Sequence, residues 1–344
     1  VIQVIFYVIN KGSDKLDWIA MPSAIVLHQA GPPENLKLQP VIVQTPLADE
    51  IRLRHTAIGV NFHDTYVRSG LYQTLTLPGI PGIEGIGVVT ELGSEVKHLS
   101  LGDRVAYIYL GYGAYSEERT LPASVAIPVP AGLDDRLVAA TLLKGLTAQV
   151  LVHEVYAVKP GDWVLVHAAA GGVGSLLSQW ASHLGARVIG TVGSEHKVEL
   201  AQHHGCRHVI EYRRDNFVAQ VKEITHGKGV QVAYDAVGKD TFLGSLECLA
   251  PCGHLANYGQ ASGLVPPFEV SILFPKSNSL SRPNVFQHLR TTEKLQTAAT
   301  ALFKALNDDI LQPGPITAFS LAEAAQAHHE MESRYRQGSV ILTI

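Results

Sequence analysis

Trp163-Val-Leu-Val-His-Ala-Ala-Ala-Gly-Gly-Val-Gly174 is the stretch whose reading decides the fold. A short apolar run ends in a glycine-rich turn, Val173 to Leu184 then reads as an apolar helix, and a second strand follows over Ala186 to Val192. That succession is the βαβ unit of dinucleotide-binding domains. Glycine lets the backbone approach a pyrophosphate, and the helix presents N–H groups and its positive dipole end to the anion. Ala169, Gly171 and Gly174 take the G-x-G-x-x-G positions, so alanine replaces the first glycine. Such a pattern alone also makes ordinary tight turns, and the flanking strands and helix give this one its meaning.

The end of the second strand speaks to the cofactor. NAD sites carry Asp or Glu about 20 residues past the glycines to bond the ribose 2′-OH. Here the chain reads Thr191-Val192-Gly193-Ser194-Glu195-His196-Lys197, with Val192 in the acidic position. A hydroxyl, backbone N–H groups and a cation suit a 2′-phosphate, which an acid would repel. NADPH is therefore the expected cofactor. Read alone, Lys197 is a solvated helix lysine.

A chain of 344 residues has room for two cores. With 46% hydrophobic and 17% charged residues it has a soluble globular composition. A net charge of −4 argues against nucleic acid as a partner. Cys206, Cys248 and Cys252 form no disulfide framework and suit a reducing, cytoplasmic compartment. Val1 to Asn10 is apolar but short of the ~20 residues of a membrane span. It also lacks the basic lead and cleavage site of a signal peptide. Residues 1–20 are read as an extension outside the fold, because Met21-Pro-Ser-Ala-Ile-Val-Leu-His has the look of a start.

From Ala24 to about Ile127, short alternating runs are broken by Gly and Pro, as in Ile51-Arg-Leu-Arg-His-Thr-Ala and Gly85-Ile-Gly-Val-Val-Thr-Glu-Leu. This predicts an all-β, barrel-like unit. After Asp134, helices alternate with apolar strands: Ala139–Val155, Val164–His167, Val188–Val192, Glu195–His204, Val209–Ile210, Phe217–Thr225, Val230–Tyr234 and Gly253–Tyr258. That alternation predicts a doubly wound α/β domain. Helices Thr292–Leu306 and Leu321–Tyr335 and a last strand Ser339–Thr343 should return to the first domain.

Six motifs, in order, carry a resemblance: Gly59-Val-Asn-Phe-His-Asp-Thr-Tyr66 with Arg68-Ser-Gly-Leu-Tyr72; Pro81-Gly-Ile-Glu-Gly-Ile-Gly87; Leu143-Lys-Gly-Leu-Thr147; Ala169–Gly174; Tyr234-Asp-Ala-Val-Gly238; and Ser281-Arg-Pro283. From Met21 on, the chain resembles the zinc-lacking quinone oxidoreductases of the medium-chain dehydrogenase/reductase superfamily. The resemblance implies an α/β fold: a GroES-like β-barrel catalytic domain over 21–148, completed by 287–344, and a Rossmann doubly wound parallel-sheet domain over 149–286. It also implies a homodimer, through the edge strand near Ala256 to Ser262 and Leu280.

Zinc members of that superfamily have Gly-His-Glu where this chain has Ile83 beside Glu84. Their cysteines are missing from Asn61-Phe-His-Asp64 and from the region of the interdomain helix, and there is no four-cysteine lobe. Catalytic zinc needs three protein ligands, so no metal is expected. A quinone is a strong hydride acceptor, and its reduction asks mainly for orientation and exclusion of water.

The resemblance also assigns residues. Asn61, Tyr66 and Tyr72 serve the substrate, the tyrosines as proton or hydrogen-bond donors, and Asn61 also lies beside the nicotinamide ribose. Lys144 and Thr147, starting the interdomain helix, approach the nicotinamide. Gly171, Gly172 and Val173 face the pyrophosphate, and Gly193, Ser194, Lys197 and Tyr212 surround the 2′-phosphate. Tyr258, Ser281, Arg282 and Arg334 lie along the cofactor. Glu84 is read as structural, satisfying backbone N–H groups or pairing with Arg68 or Arg104. His63 is read as a partly exposed loop histidine able to tune acceptor choice. The pairs His203-His204 and His328-His329 are read as surface.

Together these readings describe an NADPH-dependent transfer of hydride from nicotinamide C4 to a small quinone. Two alternatives stay open: a zinc-free reductase of enone or enoyl double bonds, and a binding or structural protein that keeps the cofactor.

Overall fold

The computed structural model describes residues 21–333 and 335–344. The expected extension over residues 1–20 and the candidate Arg334 lie outside the described residues. Two compact units divide the chain. The first takes the described residues up to Val129, with Ala318–Ser333 and Val340–Ile344, and the second takes Pro130–Thr317 and the described part of Arg334–Ser339.

The second unit is built on a six-stranded sheet in the order Cys206–Glu211, Arg187–Val192, Trp163–Val166, Val230–Asp235, Leu249–Asn257, Ser279–Ser281. All five pairings are parallel. This is the doubly wound order whose reversal point lies beside the first strand, where ligands bind at the carboxyl ends. Val164, Leu165 and Val166 are fully buried, as expected of a strand covered on both faces. Helix Gly172–His183 follows the turn.

The sequence boundaries at 148/149 and 286/287 differ from these units. Helix Asp135–Val150, capped by the Asp134 carboxylate on the N–H groups of Arg136 and Leu137, belongs to the second unit. So does helix Thr292–Asn307, which was expected to return to the first. The two helices pack closely: a Cβ on Gly145 would stand 2.4 Å from Leu302 Cδ1. Each is apolar on the side facing the other, a match that periodicity within one segment does not reveal. Helix Phe242–Cys248 and the paired strands Ser23–Leu27 and Leu36–Pro40 were not anticipated either.

The first unit contains a seven-stranded sheet along which Ile316–Ser320, Ser339–Thr343, Glu50–Val60, Glu84–Leu92, Arg104–Ile108 and Ile127–Pro128 follow one another, with Glu118–Pro122 also on Glu50–Val60. Strand Glu50–Val60 shows why the alternation was readable. Ile51 and Leu53 are fully buried, whereas Arg52, between them, bonds Glu91 and Glu118 of the two neighbouring strands, each at 2.8 Å. The last strand returns by pairing antiparallel with it, Val340 opposite Val60. No helix among the described residues is long and apolar enough to cross a membrane.

Two histidines are sealed in this unit. His55 bonds the Ser116 carbonyl through Nδ1 at 2.7 Å and the Tyr107 hydroxyl through Nε2 at 2.8 Å. The imidazole and the Tyr107 hydroxyl lie over Gly85, where a Cβ would come within 2.8 Å of the ring and 3.2 Å of the hydroxyl. His328 is fully buried rather than on the surface, and meets the Tyr115 hydroxyl at 3.0 Å. His204 is also buried, while His203 and His329 are exposed as expected. Burial, seconded by the Arg119 charge, lowers His55 to about 3. Burial, then the charges of Arg68 and His329, brings His328 to about 3.

Both rings are therefore neutral in the folded chain, while their unfolded counterparts take up a proton below about pH 6.5. Stability is full above that value and falls as the pH drops toward 3. Each histidine should contribute a slope of about 1.4 kcal/mol per pH unit once the unfolded ring is protonated. Denaturant unfolding between pH 6 and 5 should show this linkage, and His328→Leu should remove one proton of it. An unchanged slope in that variant would mean that His328 is protonated in the native state.

Candidate active site

The turn after Val166 is built by close backbone approach. Ala168 takes the left-handed conformation (φ +53), and its carbonyl oxygen would lie 2.2 Å from a Cβ on Gly174 and 3.0 Å from one on Gly171. The departure from the glycine pattern at Ala169 is accommodated across the sheet. Gly190 of the next strand leaves room, since a Cβ there would stand 2.8 Å from that of Ala169. Gly171 is the N-cap of helix Gly172–His183, whose first turn carries no acid. The N–H groups of such a turn lack intrahelical partners and favour an anion. The Lys144 stem crosses Gly172, where a Cβ would meet its Cδ at 2.8 Å. Lys144 and Thr147 lie in the second half of helix Asp135–Val150, not at its start. The Thr147 hydroxyl donates to the Leu143 carbonyl at 2.7 Å.

At the end of the second strand, Gly193 lies against Tyr212 and Arg213, whose nearest atoms would stand 3.6 and 3.8 Å from a Cβ there. Ser194 meets His196 Nε2 at 3.5 Å. Burial lowers the pKa of Lys197, and the charges of Arg336 and Arg213 lower it further. Three cations thus crowd one strand end. Sequence reasoning found only Lys197. Arg213, beside Tyr212, could have been suspected from position, but nothing local marks Arg336.

Tyr258 follows strand Leu249–Asn257 at its carboxyl end, and its backbone N–H donates to the Asp235 carbonyl at 2.9 Å. Its hydroxyl is buried without a partner among the described residues, and burial and Asp235 raise its pKa. Asp235 caps the Tyr234–Gly238 turn, taking the N–H groups of Val237 and Gly238 and the Thr241 hydroxyl on one oxygen. Ser281 and Arg282 have protein partners. Ser281 meets His254 at 2.8 Å, and Arg282 donates to the carbonyls of Asn257 and Gly259 and to the Asn257 side chain. A glycine cradle, a buried phenol without a partner and three converging cations fit NADPH.

A second group gathers in the first unit. Asn61 caps helix Phe62–Ser69; its backbone N–H donates to Asp64 at 2.8 Å and its side-chain amide to Glu84 at 2.6 Å. Of the two arginines considered for Glu84, Arg68 pairs with Glu332 at 2.7 Å. Tyr66 and Tyr72 stand edge to face, ring centroids 5.2 Å apart. His63 is on the helix rather than in a loop, packed edge-on to Tyr72 and stacked on Tyr112. Among the described residues no three His, Cys, Asp or Glu side chains converge as metal ligands.

Two halves of a medium-chain dehydrogenase/reductase are therefore present, a doubly wound cofactor unit and a β-rich unit holding aromatic and polar side chains. The zinc-binding dehydrogenase family matches residues 172–303, and the alcohol dehydrogenase GroES-like domain matches residues 47–131. The chain is 44% identical to a 2-haloacrylate reductase from a Burkholderia species, covering 94% of this chain and 99% of the relative. Identity to a quinone oxidoreductase of Pseudomonas aeruginosa is 44%, with the same coverage. The crystal structure of Escherichia coli quinone oxidoreductase complexed with NADPH superposes with a TM-score of 0.91 at 40% identity, over 94% of this chain and all of that one. The chain belongs to the zinc-lacking quinone oxidoreductase family of the medium-chain dehydrogenases/reductases.

The cation cluster makes a discriminating prediction. Lys197→Glu should weaken NADPH by at least ~10-fold while leaving NADH within about 2-fold, since a pairing charge becomes a repelling one. Arg213→Ala should act in the same direction with smaller effect. Fluorescence titration of both cofactors checks it, and equal loss for both would remove Lys197 from the 2′-phosphate.

Proposed function

We infer that the protein is an NADPH:quinone oxidoreductase that reduces a small quinone without a metal ion. Membership of the family supports this reading, and the observation that carries it is the acceptor-side cluster. Tyr66, Tyr72, His63 and Tyr112 are aromatic and bear neutral polar atoms, and burial holds His63 to about 4, so its ring is neutral near pH 7. The carboxylates of Asp64 and Glu84 stand behind Asn61. Such walls suit a flat, uncharged acceptor.

NADPH supplies the hydride when bound. The chain's own residues would do the rest: Gly171, Gly172 and Val173 would receive the pyrophosphate, Gly193, Ser194, Lys197 and Tyr212 with Arg213 and Arg336 would hold the 2′-phosphate, and Lys144, Thr147 and Tyr258 of the second unit would face the nicotinamide half. Asn61, fixed by Glu84, and Tyr66 and Tyr72 orient the acceptor. Ser281 and Arg282 support the strand end from which Tyr258 projects.

A second reading has one specific observation behind it, the kinship to a 2-haloacrylate reductase. Reduction of an activated double bond would use the same cofactor site. The aromatic, uncharged walls of that cluster suit a neutral enone better than a carboxylate.

NADPH oxidation against a small ortho-quinone, a neutral enone and a 2-haloacrylate separates these readings. The expected order is quinone fastest, enone slower and haloacrylate slowest, with activity unchanged by a strong chelator. Turnover confined to the double-bond substrates would replace the quinone reading, and chelator inactivation reversed by zinc would overturn the metal-free one.

A homodimer is part of the proposal. Strand Ser279–Ser281 is an open sheet edge, and near it in sequence Leu264, Val270, Ile272 and Phe274 are 62, 72, 46 and 85% exposed, the pattern of a surface that another chain covers. The free thiols Cys206, Cys248 and Cys252 support a cytoplasmic placement.

A further inference from the structure

We propose that His63, Tyr112 and Thr74 form a proton relay from solvent to the reduced acceptor, with His63 Nδ1 as the group that touches the acceptor oxygen. The inference rests on the quinone reading and deepens it, because quinone reduction needs a proton as well as a hydride.

The chain of contacts is continuous. His63 Nε2 and the Tyr112 hydroxyl are 3.0 Å apart, and that hydroxyl is also hydrogen-bonded to Thr74 Oγ1. Thr74 is exposed, Tyr112 is buried, and His63 lies between in exposure. His63 Nδ1 has no hydrogen-bond partner among the described residues, while its ring contacts Tyr72, which stands against Tyr66. A polar line thus enters from water, crosses a buried phenol and ends on an available imidazole nitrogen among the acceptor-side tyrosines.

The backbone adds a separate sign. Tyr112 has φ +50, a left-handed conformation that non-glycine residues avoid. It lies between Gly111 and Gly113, and its hydroxyl is held at both contacts. Tyr112 thus holds a large aromatic side chain in a conformation that costs free energy, the kind of outlier that clusters at functional sites.

The step balances as follows. The quinone carbonyl accepts two electrons and one proton as hydride from NADPH, which becomes NADP+. The oxyanion then takes the proton on His63 Nδ1, forming an O–H bond and breaking N–H. As that proton leaves, Nε2 receives the Tyr112 proton, Tyr112 receives that of Thr74, and water reprotonates Thr74. Once the hydroquinone has left, water gives a proton to Nδ1 while Nε2 returns one through Tyr112 and Thr74 to solvent, restoring the starting tautomer, and the net change is quinone plus NADPH plus one proton to hydroquinone plus NADP+. A neutral imidazole does this without becoming a stable cation, consistent with the burial that keeps His63 to about 4.

The test uses the full chain with NADPH and an ortho-quinone, comparing wild type, His63→Ala, His63→Phe and Tyr112→Phe. His63→Ala should lower kcat by ~100-fold, with NADPH affinity by fluorescence titration unchanged, since general acid catalysis contributes about 10²–10⁴-fold. Added imidazole should restore a large part of that loss in His63→Ala and none in His63→Phe, where the space is filled. Tyr112→Phe should lower kcat by ~10-fold and change the solvent deuterium isotope effect on kcat. Unchanged kcat in His63→Ala would overturn the relay, as would restoration of activity by the His63→Phe ring alone, which would make His63 a packing residue. Absence of quinone turnover in wild type that still binds NADPH would instead overturn the quinone reading, and the relay with it.

Discussion

Everything on the cofactor side depends on how near helix Gly172–His183 can come to the strand before it. The Ala168 carbonyl and the Gly174 backbone approach so closely that even a methyl group at 174 would overlap the oxygen. That contact aims the first turn of the helix past the carboxyl end of the central strand, where its dipole and N–H groups meet an anion. Ala169 is tolerated because the space its methyl needs is provided by the missing side chain of Gly190 on the neighbouring strand. The glycine pattern is thus a statement about distances, and a substitution within it is readable only when the facing strand is known.

The cation cluster proposed for the 2′-phosphate follows a different rule. Nothing there is set by one contact; charge accumulates from three places in the chain. Lys197 opens the helix after the second strand, Arg213 follows the third, and Arg336 comes from the segment before the last strand. Burial lowers the pKa of Lys197 first, and repulsion from Arg336 and Arg213 lowers it further. An anion relieves that repulsion, so the arrangement favours the phosphorylated cofactor more than its count of hydrogen bonds suggests.

Local periodicity made most of the fold legible. Alternation over residues 50–57 and the apolar run over residues 164–166 report burial on one face and on two, and each is written in consecutive residues. The unit boundaries were not written so. Asp135–Val150 and Thr292–Asn307 each carry an apolar side, but that the two sides meet, through Gly145 and Leu302, is a long-range choice that neither segment encodes alone. Charge behaves in the same way: Glu84 was recognisable as a carboxylate needing partners, yet Arg68, its expected mate by proximity to the motif, is held by Glu332 from near the end of the chain.

Histidines show the limit most clearly. By residue type His55, His63, His204 and His328 are alike, and sequence offers no means of telling a solvated ring from one sealed in a core. The structure separates them by what they bond. His55 is bonded through both ring nitrogens, and a ring so held is spent on the fold. His328 is fully buried, with one nitrogen on Tyr115 and the other enclosed without a partner. His63 has one nitrogen fixed by Tyr112 and one left over, with its ring against Tyr72, a tyrosine proposed for the acceptor side. The Tyr112 hydroxyl fixes the ring's direction through Nε2, and in the proposed relay it donates there, which leaves Nδ1 as the donor.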